Sequence, residues 1–148
     1  MASLSSIGLI SSKLLTMPRS SSTPGAGLVL FNDEGRTLVL LKGNGKFDIP
    51  KGHCDSKDVN MFSTAQRECY EETQIFITLS DLLCQDQYHN SGLVIFCAKT
   101  QQDPVIEKNP ETGELEHIDF YWMNPESAIK VLPDYLSDAV RWSLKYAT

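Results

Sequence analysis

The amino-acid sequence predicts a domain of mixed strands and helices, in an α+β or α/β arrangement of layers. Two apolar runs, at residues 27–31 and 37–41, flank an Asn-Asp-Glu-Gly turn signal and therefore predict a β-hairpin. Residues 61–73 contain no Pro or Gly and carry several good helix formers, so they predict a helix. Its apolar stripe, at i, i+3 and i+7, consists of Phe62, Ala65 and Cys69.

The other elements follow from the same patterns. Residues 42–57 contain several Gly residues and Pro50, and they are predicted to be irregular. Short apolar runs predict strands at residues 75–77, 93–96 and 120–122, and the polar stretch 102–114 carries turn signals. From residue 125 onward the sequence predicts helix, with an apolar face formed by Leu136, Ala139, Val140 and Leu144.

Composition indicates an ordinary globular protein. The chain has 148 residues, of which 41% are hydrophobic, and its net charge is −6. An acidic protein is poorly suited to a broad grip on a nucleic-acid backbone, and no apolar run approaches the roughly 18 residues of a membrane span. Its four cysteines form no zinc-finger spacing, and Cys69 and Cys97 are predicted to lie in the core. We expect a reducing, cytoplasmic location.

Residues 1–24 are interpreted as a Ser-rich arm, and residues 25–148 as the domain itself. The first 32 residues contain Lys13 and Arg19 but neither Asp nor Glu, a composition similar to that of an organelle transit peptide. Transit peptides are usually rich in arginine, which favours the alternative of a polar arm with one added strand.

Three glutamates are expected to share one face of the predicted helix. With 3.6 residues per turn, Glu72 lies about 40° to one side of Glu68 and Glu71 lies about 60° to the other. Like charges this close destabilise a helix, whereas a bound Mg²⁺ ion would be stabilised by their oxygens. A solvated acidic face is the alternative interpretation. Arg67 is positioned to reach Glu71, or a carboxylate on the preceding loop, and so to orient a metal ligand.

This segment resembles the Nudix box, whose pattern is G-x5-E-x7-R-E-U-x-E-E-x-G-U with U aliphatic. The pattern positions are occupied by Gly52, Arg67, Glu68, Cys69, Glu71, Glu72 and Ile75. Two positions differ. Asp58 replaces the first Glu, with one additional residue before the Arg, and it is expected to act as a secondary ligand or as the partner of that Arg if the loop bulges. Gln74 replaces the last Gly and is expected to adopt a left-handed conformation at modest cost.

The flanking residues are similar to those of two groups in this family. Residues 50–53 (Pro-Lys-Gly-His) and 116–122 resemble segments of diadenosine tetraphosphate hydrolases, and residues 70–73 (Tyr-Glu-Glu-Thr) resemble those of decapping enzymes. The resemblance covers roughly residues 25–146. It implies the Nudix fold, a mixed β-sheet sandwiched between helices.

The resemblance also implies a site for Mg²⁺, with Mn²⁺ as the other candidate. The Lys51 carbonyl, Glu68 and Glu72 would bind one ion, and Glu71 would share a further one. Glu116, or its neighbour Glu114, would be an additional ligand or the general base. From the residues themselves, candidates for holding the substrate's phosphates and base are Lys42, Lys46, Lys51, Tyr88 and Tyr121.

The implied activity is metal-dependent hydrolysis of a diphosphate bond in a nucleotide. A dinucleoside polyphosphate such as diadenosine tetraphosphate is the favoured substrate, and the acidity and single compact domain of the chain favour a small soluble substrate over RNA. The alternatives are an RNA 5′ cap or 5′ pyrophosphate, and ADP-ribose. A module of the same fold that binds a nucleotide without cleaving it is an alternative of another class. The protein is expected to be a monomer or a homodimer.

Overall fold

The computed structural model describes residues 24–108 and 113–147. The strands are β1 (Gly25–Phe31), β2 (Thr37–Lys42), β3 (Phe47–Asp48), β4 (Lys51–His53), β5 (Tyr88–Asn90), β6 (Leu93–Lys99) and β7 (His117–Met123). The helices are α1 (Met61–Thr73), α2 (Pro125–Val131) and α3 (Asp134–Ser143), with a short 3-10 turn at Leu79–Asp81. The predicted N-terminal arm falls outside the described residues, apart from its last residue. No described helix has the length and apolar character needed to cross a membrane.

A single mixed sheet forms the centre of the fold. Its main strand order is β3-β2-β1-β6-β5, with β7 paired to β2 and β4 paired to β1. Strands β1 and β6 are parallel, and the other pairs are antiparallel. Helix α1 packs on one face through a core that includes Phe62, Ala65 and Cys69, and α2 and α3 pack on the other. The predicted sheet between helices is confirmed.

The predicted hairpin strands are present, but they diverge beyond their turn. β1 and β2 pair at Phe31 and Thr37, after which β1 pairs with β4 and β2 with β3. The backbone of the inserted segment fills the gap, because the Leu28 N–H donates to the Pro50 carbonyl at 2.9 Å. The expected irregular region therefore contains two short strands. The insertion brings β4 against helix α1.

Two other sequence predictions were wrong in detail. Residues 75–77 form no strand, although Ile75 and Ile77 are buried. The side-chain amide of Gln102 bonds both the N–H and the carbonyl of Phe76, each at 3.0 Å, and so replaces a partner strand. Leu144 lies just beyond α3 and is 40% exposed, so the apolar face of that helix ends earlier than predicted. The strands predicted at 93–96 and 120–122 are confirmed within β6 and β7.

Candidate metal-dependent active site

Helix α1 has defined ends that orient its acidic face. The Asn60 side chain accepts a hydrogen bond from the Ser63 N–H at 2.8 Å, which caps the first turn. At the other end Gln74 is left-handed, with φ of 61°, and its N–H donates to the Tyr70 carbonyl at 2.8 Å. The expected conformation of Gln74 is therefore confirmed. The apolar stripe packs on the sheet and turns Glu68 and Glu72 toward β4.

The contact between β4 and α1 requires glycine at position 52. A methyl group on Gly52 would overlap the carboxylate of Glu68. The N–H of the preceding Lys51 donates to Oε1 of Glu72 at 3.1 Å. The backbone of β4 and two glutamates of α1 thus lie at the closest approach that the chain allows.

Arg67 connects the loop before α1 to the acidic face. Its Nε and Nη2 atoms bind the two carboxylate oxygens of Asp58 at 2.9 and 3.0 Å. Nη2 also donates to the His53 carbonyl at 2.9 Å, and Nη1 donates to Oε1 of Glu71 at 3.0 Å. Nη1 lies 3.5 Å from Oε2 of Glu68. Both predicted partners of Arg67, the loop carboxylate and Glu71, are therefore present.

Asp58 performs this pairing in spite of the additional residue in the loop. Burial raises the pKa of its carboxyl, but hydrogen bonds from Arg67, Asp55 and Thr64 outweigh burial and lower that pKa to about 2. The Thr64 hydroxyl donates to Oδ2 of Asp58 at 2.7 Å, and the Asp55 N–H donates to the same oxygen at 2.9 Å. Asp58 is thus an ionised partner of Arg67.

Glu68 and Glu72 are carboxylates with insufficient positive charge around them. Burial raises the pKa of Glu68 to about 7, although Arg67 lowers it in part. Burial, with the nearby charges of Glu116, Asp48 and Glu68, raises the pKa of Glu72 well above its ordinary value. Within residues 24–108 and 113–147, no Lys, Arg or His nitrogen lies within ion-pair distance of Glu72. Oxygen donors grouped in this way fit a divalent cation.

Sequence reasoning missed Asp48 and His117 as parts of this region. Oδ1 of Asp48 lies 3.1 Å from Nζ of Lys51, and its Oδ2 lies 3.0 Å from Nε2 of His117. Burial raises the pKa of Asp48, but the bonds to His117 and Lys51 lower it overall. The signal in the sequence was weak, because a single Asp in a loop and a single His next to a Glu occur in many proteins. Lys51, a predicted phosphate ligand, is engaged by Asp48 instead.

The structure brings Glu116 to the site and leaves Glu114 outside the metal-ligating group. Single donor atoms of Glu72, Glu116 and His117 all lie within 4.8 Å of one another. Glu114 is exposed in the segment before β7 and is not part of this group. Glu71 is exposed on the outer side of the acidic face, paired with Arg67.

The predicted lysines and tyrosines lie in different places. Lys42 ends β2 opposite His117, and Lys46 is exposed in the β2–β3 turn. Tyr121 is 40% exposed on β7, with its ring 6.2 Å from that of Phe47. Tyr88 packs against the core beneath α2 and α3, with its ring 6.1 Å from that of Trp142. The structure therefore does not bring Tyr88 to the acidic face.

A cleft of about 570 Å³ opens over the acidic face of α1. Its walls are α1, residues 106–108 and the start of β7. Its charged and titratable lining residues are Asp55, Arg67, Glu68, Glu71, Glu72, Glu107, Lys108, Glu116 and His117. Tyr70 and Ile106 add exposed or half-exposed apolar surface. A cleft of this volume accommodates a small-molecule ligand, and its acidic lining requires cations to accept a polyphosphate.

Comparisons with known proteins agree with this geometry. The family model described as the NUDIX domain matches residues 21–143. A comparison with curated proteins found no match.

Solved structures show the same fold at low sequence identity. The MutT protein of Methanosarcina mazei has a TM-score of 0.62 at 22% identity, and the alignment covers 83% of this chain and 95% of that one. An Ap4A hydrolase of C. elegans has a TM-score of 0.59 at 22% identity, covering 81% and 93%. An ADP-ribose pyrophosphatase of Streptococcus suis has a TM-score of 0.58 at 14% identity, covering 82% and 88%.

Proposed function

The chain belongs to the NUDIX domain family, and we propose that its substrate is a dinucleoside polyphosphate, which it hydrolyses with Mg²⁺. It is a Nudix-type pyrophosphohydrolase, and enzymes of this family use divalent cations on nucleotide-derived substrates. The observation that carries the proposal is the pair Glu68 and Glu72, which lie against the backbone of β4. Among the described residues, Glu72 has no cationic side chain within ion-pair distance, and Glu68 has only Arg67, at 3.5 Å. Partly buried carboxylates of this kind destabilise the protein unless a cation binds them.

The proposed ligands are the Lys51 carbonyl, Glu68 and Glu72, with Glu71 and Glu116 as further oxygen donors. When bound, the divalent cation neutralises charge on the diphosphate and lowers the pKa of water. Other side chains of the protein orient these ligands. Nη1 of Arg67 holds Oε1 of Glu71 at 3.0 Å and lies 3.5 Å from Oε2 of Glu68, while it makes no ion pair with Glu72. Glu116 is exposed and lines the cleft, where it can accept a proton from water.

The dinucleoside class is favoured over RNA by the charge of the cleft. Acidic side chains outnumber Arg67 and Lys108 along its walls, and an RNA backbone would require the opposite balance. Lys42, Lys46 and Tyr121 lie outside the lining of the cleft, and we propose that the two lysines contact the outer phosphates and the exposed Tyr121 ring a base of the extended substrate. The resemblance of residues 50–53 and 116–122 to diadenosine tetraphosphate hydrolases supports the same substrate, and the C. elegans Ap4A hydrolase shares the fold.

A substrate panel tests this proposal. Purified protein with Mg²⁺ or Mn²⁺ is given diadenosine tetraphosphate, ADP-ribose, capped RNA or triphosphate-ended RNA, and products are separated by chromatography. We expect the highest kcat/KM with diadenosine tetraphosphate and no turnover with chelator. Glu72→Gln removes the proposed ligand, and Glu126→Gln, an exposed glutamate in the first turn of α2, is the matched control.

The outcomes separate the alternatives. Preferential cleavage of ADP-ribose or of an RNA end would replace the proposed substrate and retain the metal site. Nucleotide binding that persists in chelator, with no turnover of any substrate, would favour a nucleotide-sensing module.

The cellular location is a separate proposal. All four cysteines are free thiols. This supports the proposal that the enzyme acts in the reducing cytoplasm.

A further inference from the structure

His117 is directed into the cleft by an irregularity in β7. The pairing of β7 with β2 shifts register beside Lys42: Leu41 is opposite Asp119, and Lys42 is opposite His117. Ile118 is therefore an additional residue on the β7 side. Such a β-bulge redirects the side chains next to it. The His117 side chain is 2% exposed, and His117 lines the cleft that contains Glu72 and Glu116.

Asp48 determines which ring nitrogen of His117 carries a proton. The Lys51 ammonium pairs with Oδ1 of Asp48 at 3.1 Å, so Asp48 is a carboxylate and can only accept hydrogen bonds. Its Oδ2 lies 3.0 Å from Nε2 of His117, which must therefore donate. In the neutral ring, Nδ1 then carries the lone pair. A histidine held in this way by a carboxylate is the usual arrangement around protein-bound metal ions.

The neighbours of His117 in the cleft have complementary chemistry. One donor atom each of Glu72, Glu116 and His117 lies within 4.8 Å of the others. Donors about 2.1 Å from one ion are at most about 4.2 Å apart, so a small movement completes the site. Glu116 is exposed and can make that movement. This group is not a purely acidic one, because it offers an imidazole nitrogen, a ligand that favours transition metals over Mg²⁺.

We propose that His117, Glu72 and Glu116 form a mixed nitrogen and oxygen site for a divalent transition metal such as Mn²⁺, Co²⁺ or Zn²⁺. This inference rests on the proposed metal-dependent function, since Glu72 belongs to both sites. It adds a nitrogen ligand that the acidic face of α1 does not contain. Asp48 and Lys51 act on the metal through the His117 ring and are positioning residues.

Pulsed electron paramagnetic resonance of the Mn²⁺-saturated full chain tests this assignment without an activity measurement. The chain contains three histidines, and His53 and His89 are exposed. A variant with His53→Gln and His89→Gln leaves His117 as the sole histidine, and its surface changes are compatible with folding. The protein is prepared with ¹⁵N-labelled histidine. We expect modulation from a directly bonded ¹⁵N nucleus.

Affinity measurements provide the second part of the test. In His117→Gln, calorimetric titration is expected to show Mn²⁺ or Co²⁺ binding weakened by about 10- to 100-fold and Mg²⁺ binding weakened much less. Asp48→Asn is also expected to weaken Mn²⁺ or Co²⁺ binding more than Mg²⁺ binding, because the His117 ring loses its orientation. His53→Gln serves as the matched control and is expected to retain wild-type affinities.

Each outcome decides the assignment. Modulation of the Mn²⁺ signal by ¹⁵N-labelled histidine in the variant with His53→Gln and His89→Gln supports the assignment. Mn²⁺ that binds at saturation and is lost in Glu72→Gln, but shows no histidine nitrogen, overturns the role of His117 and leaves the proposed hydrolase intact. Absence of any divalent-metal binding by the wild-type chain overturns both proposals.

Discussion

Asp48 and Glu72 are two carboxylates in the same part of the molecule with opposite surroundings. Asp48 is buried and has two cationic or proton-donating partners, Lys51 at 3.1 Å and His117 at 3.0 Å. Glu72 is partly buried and accepts one backbone hydrogen bond, from Lys51. The pKa of Asp48 is lowered and the pKa of Glu72 is raised.

The contrast distinguishes a carboxylate whose charge is balanced within the protein from one whose charge is available to bind a cation. The partners of Asp48 are supplied by the chain itself, and its ionisation is compensated on folding. Glu72 has no such partner among the described residues, and Arg67, 3.5 Å from Glu68, compensates Glu68 only in part, so a cation from solution is needed to complete the compensation. An active site that must bind metal reversibly therefore keeps part of its charge unpaired and lowers the stability of the metal-free protein. Replacing each carboxylate by its amide distinguishes the two cases.

The largest expected effect is that of Glu72→Gln on catalysis. Loss of a metal ligand removes several kcal/mol of transition-state stabilisation, so kcat is expected to fall by about 10³-fold. The metal-free protein is expected to become more stable, since a neutral amide replaces an uncompensated charge. Steady-state kinetics and urea denaturation in chelator measure the two quantities. Unchanged kcat would remove Glu72 from the active site.

Asp48→Asn is expected to have the opposite effect on stability. Breaking a buried ion pair typically costs about 3 kcal/mol, because the remaining charge on Lys51 lacks its partner. The free energy of unfolding in chelator is therefore expected to fall in Asp48→Asn and to rise in Glu72→Gln. A change of the same sign in the free energy of unfolding of both variants would show that the two carboxylates do not differ in their electrostatic surroundings.

Gly52→Ala tests the close approach that produces the unpaired charge. The added methyl group overlaps the Glu68 carboxylate and displaces either β4 or α1, at a cost of about 1–3 kcal/mol. Activity is expected to fall as well, because the metal ligands lie on both elements. Gly43→Ala is the matched control, since nothing lies within 4 Å of a methyl group at that exposed turn. Equal denaturation midpoints for the two variants would argue against this contact.

The pH dependence of metal-free stability is the smallest expected effect. Burial raises the pKa of Glu68 from 4.5 to about 7, so the folded chain retains a proton that the unfolded chain releases. The corresponding stability is fully present below pH 4.5 and is lost as the pH rises through about 7. Urea denaturation between pH 5 and 8 measures it. Glu68→Gln should show a flatter profile, and an identical slope would contradict this account.

Local chemistry made several parts of the site predictable from sequence. The helix was predicted at residues 61–73, and the structure contains it with the same bounds. The pairing of Arg67 with Glu71 and the grouping of the glutamates followed from residue types at fixed helical spacing, whereas the left-handed Gln74 and the pairing of Arg67 with Asp58 were implied by the resemblance to the Nudix box. Such interactions span few residues and depend on backbone geometry that recurs in every α-helix.

Contacts between distant segments were decided only by the tertiary structure. Asp48 and His117 are 69 residues apart, and their meeting depends on the register shift in β7. Gln102 bonds the backbone of Phe76 from 26 residues away, which is why the apolar run at 75–77 is not a strand. The sequence by itself determined the acidic face of α1 through local periodicity. Whether the charge of each carboxylate is balanced by a partner depended on how the sheet brings together residues that are distant in the sequence. No local sequence pattern encodes such a pairing.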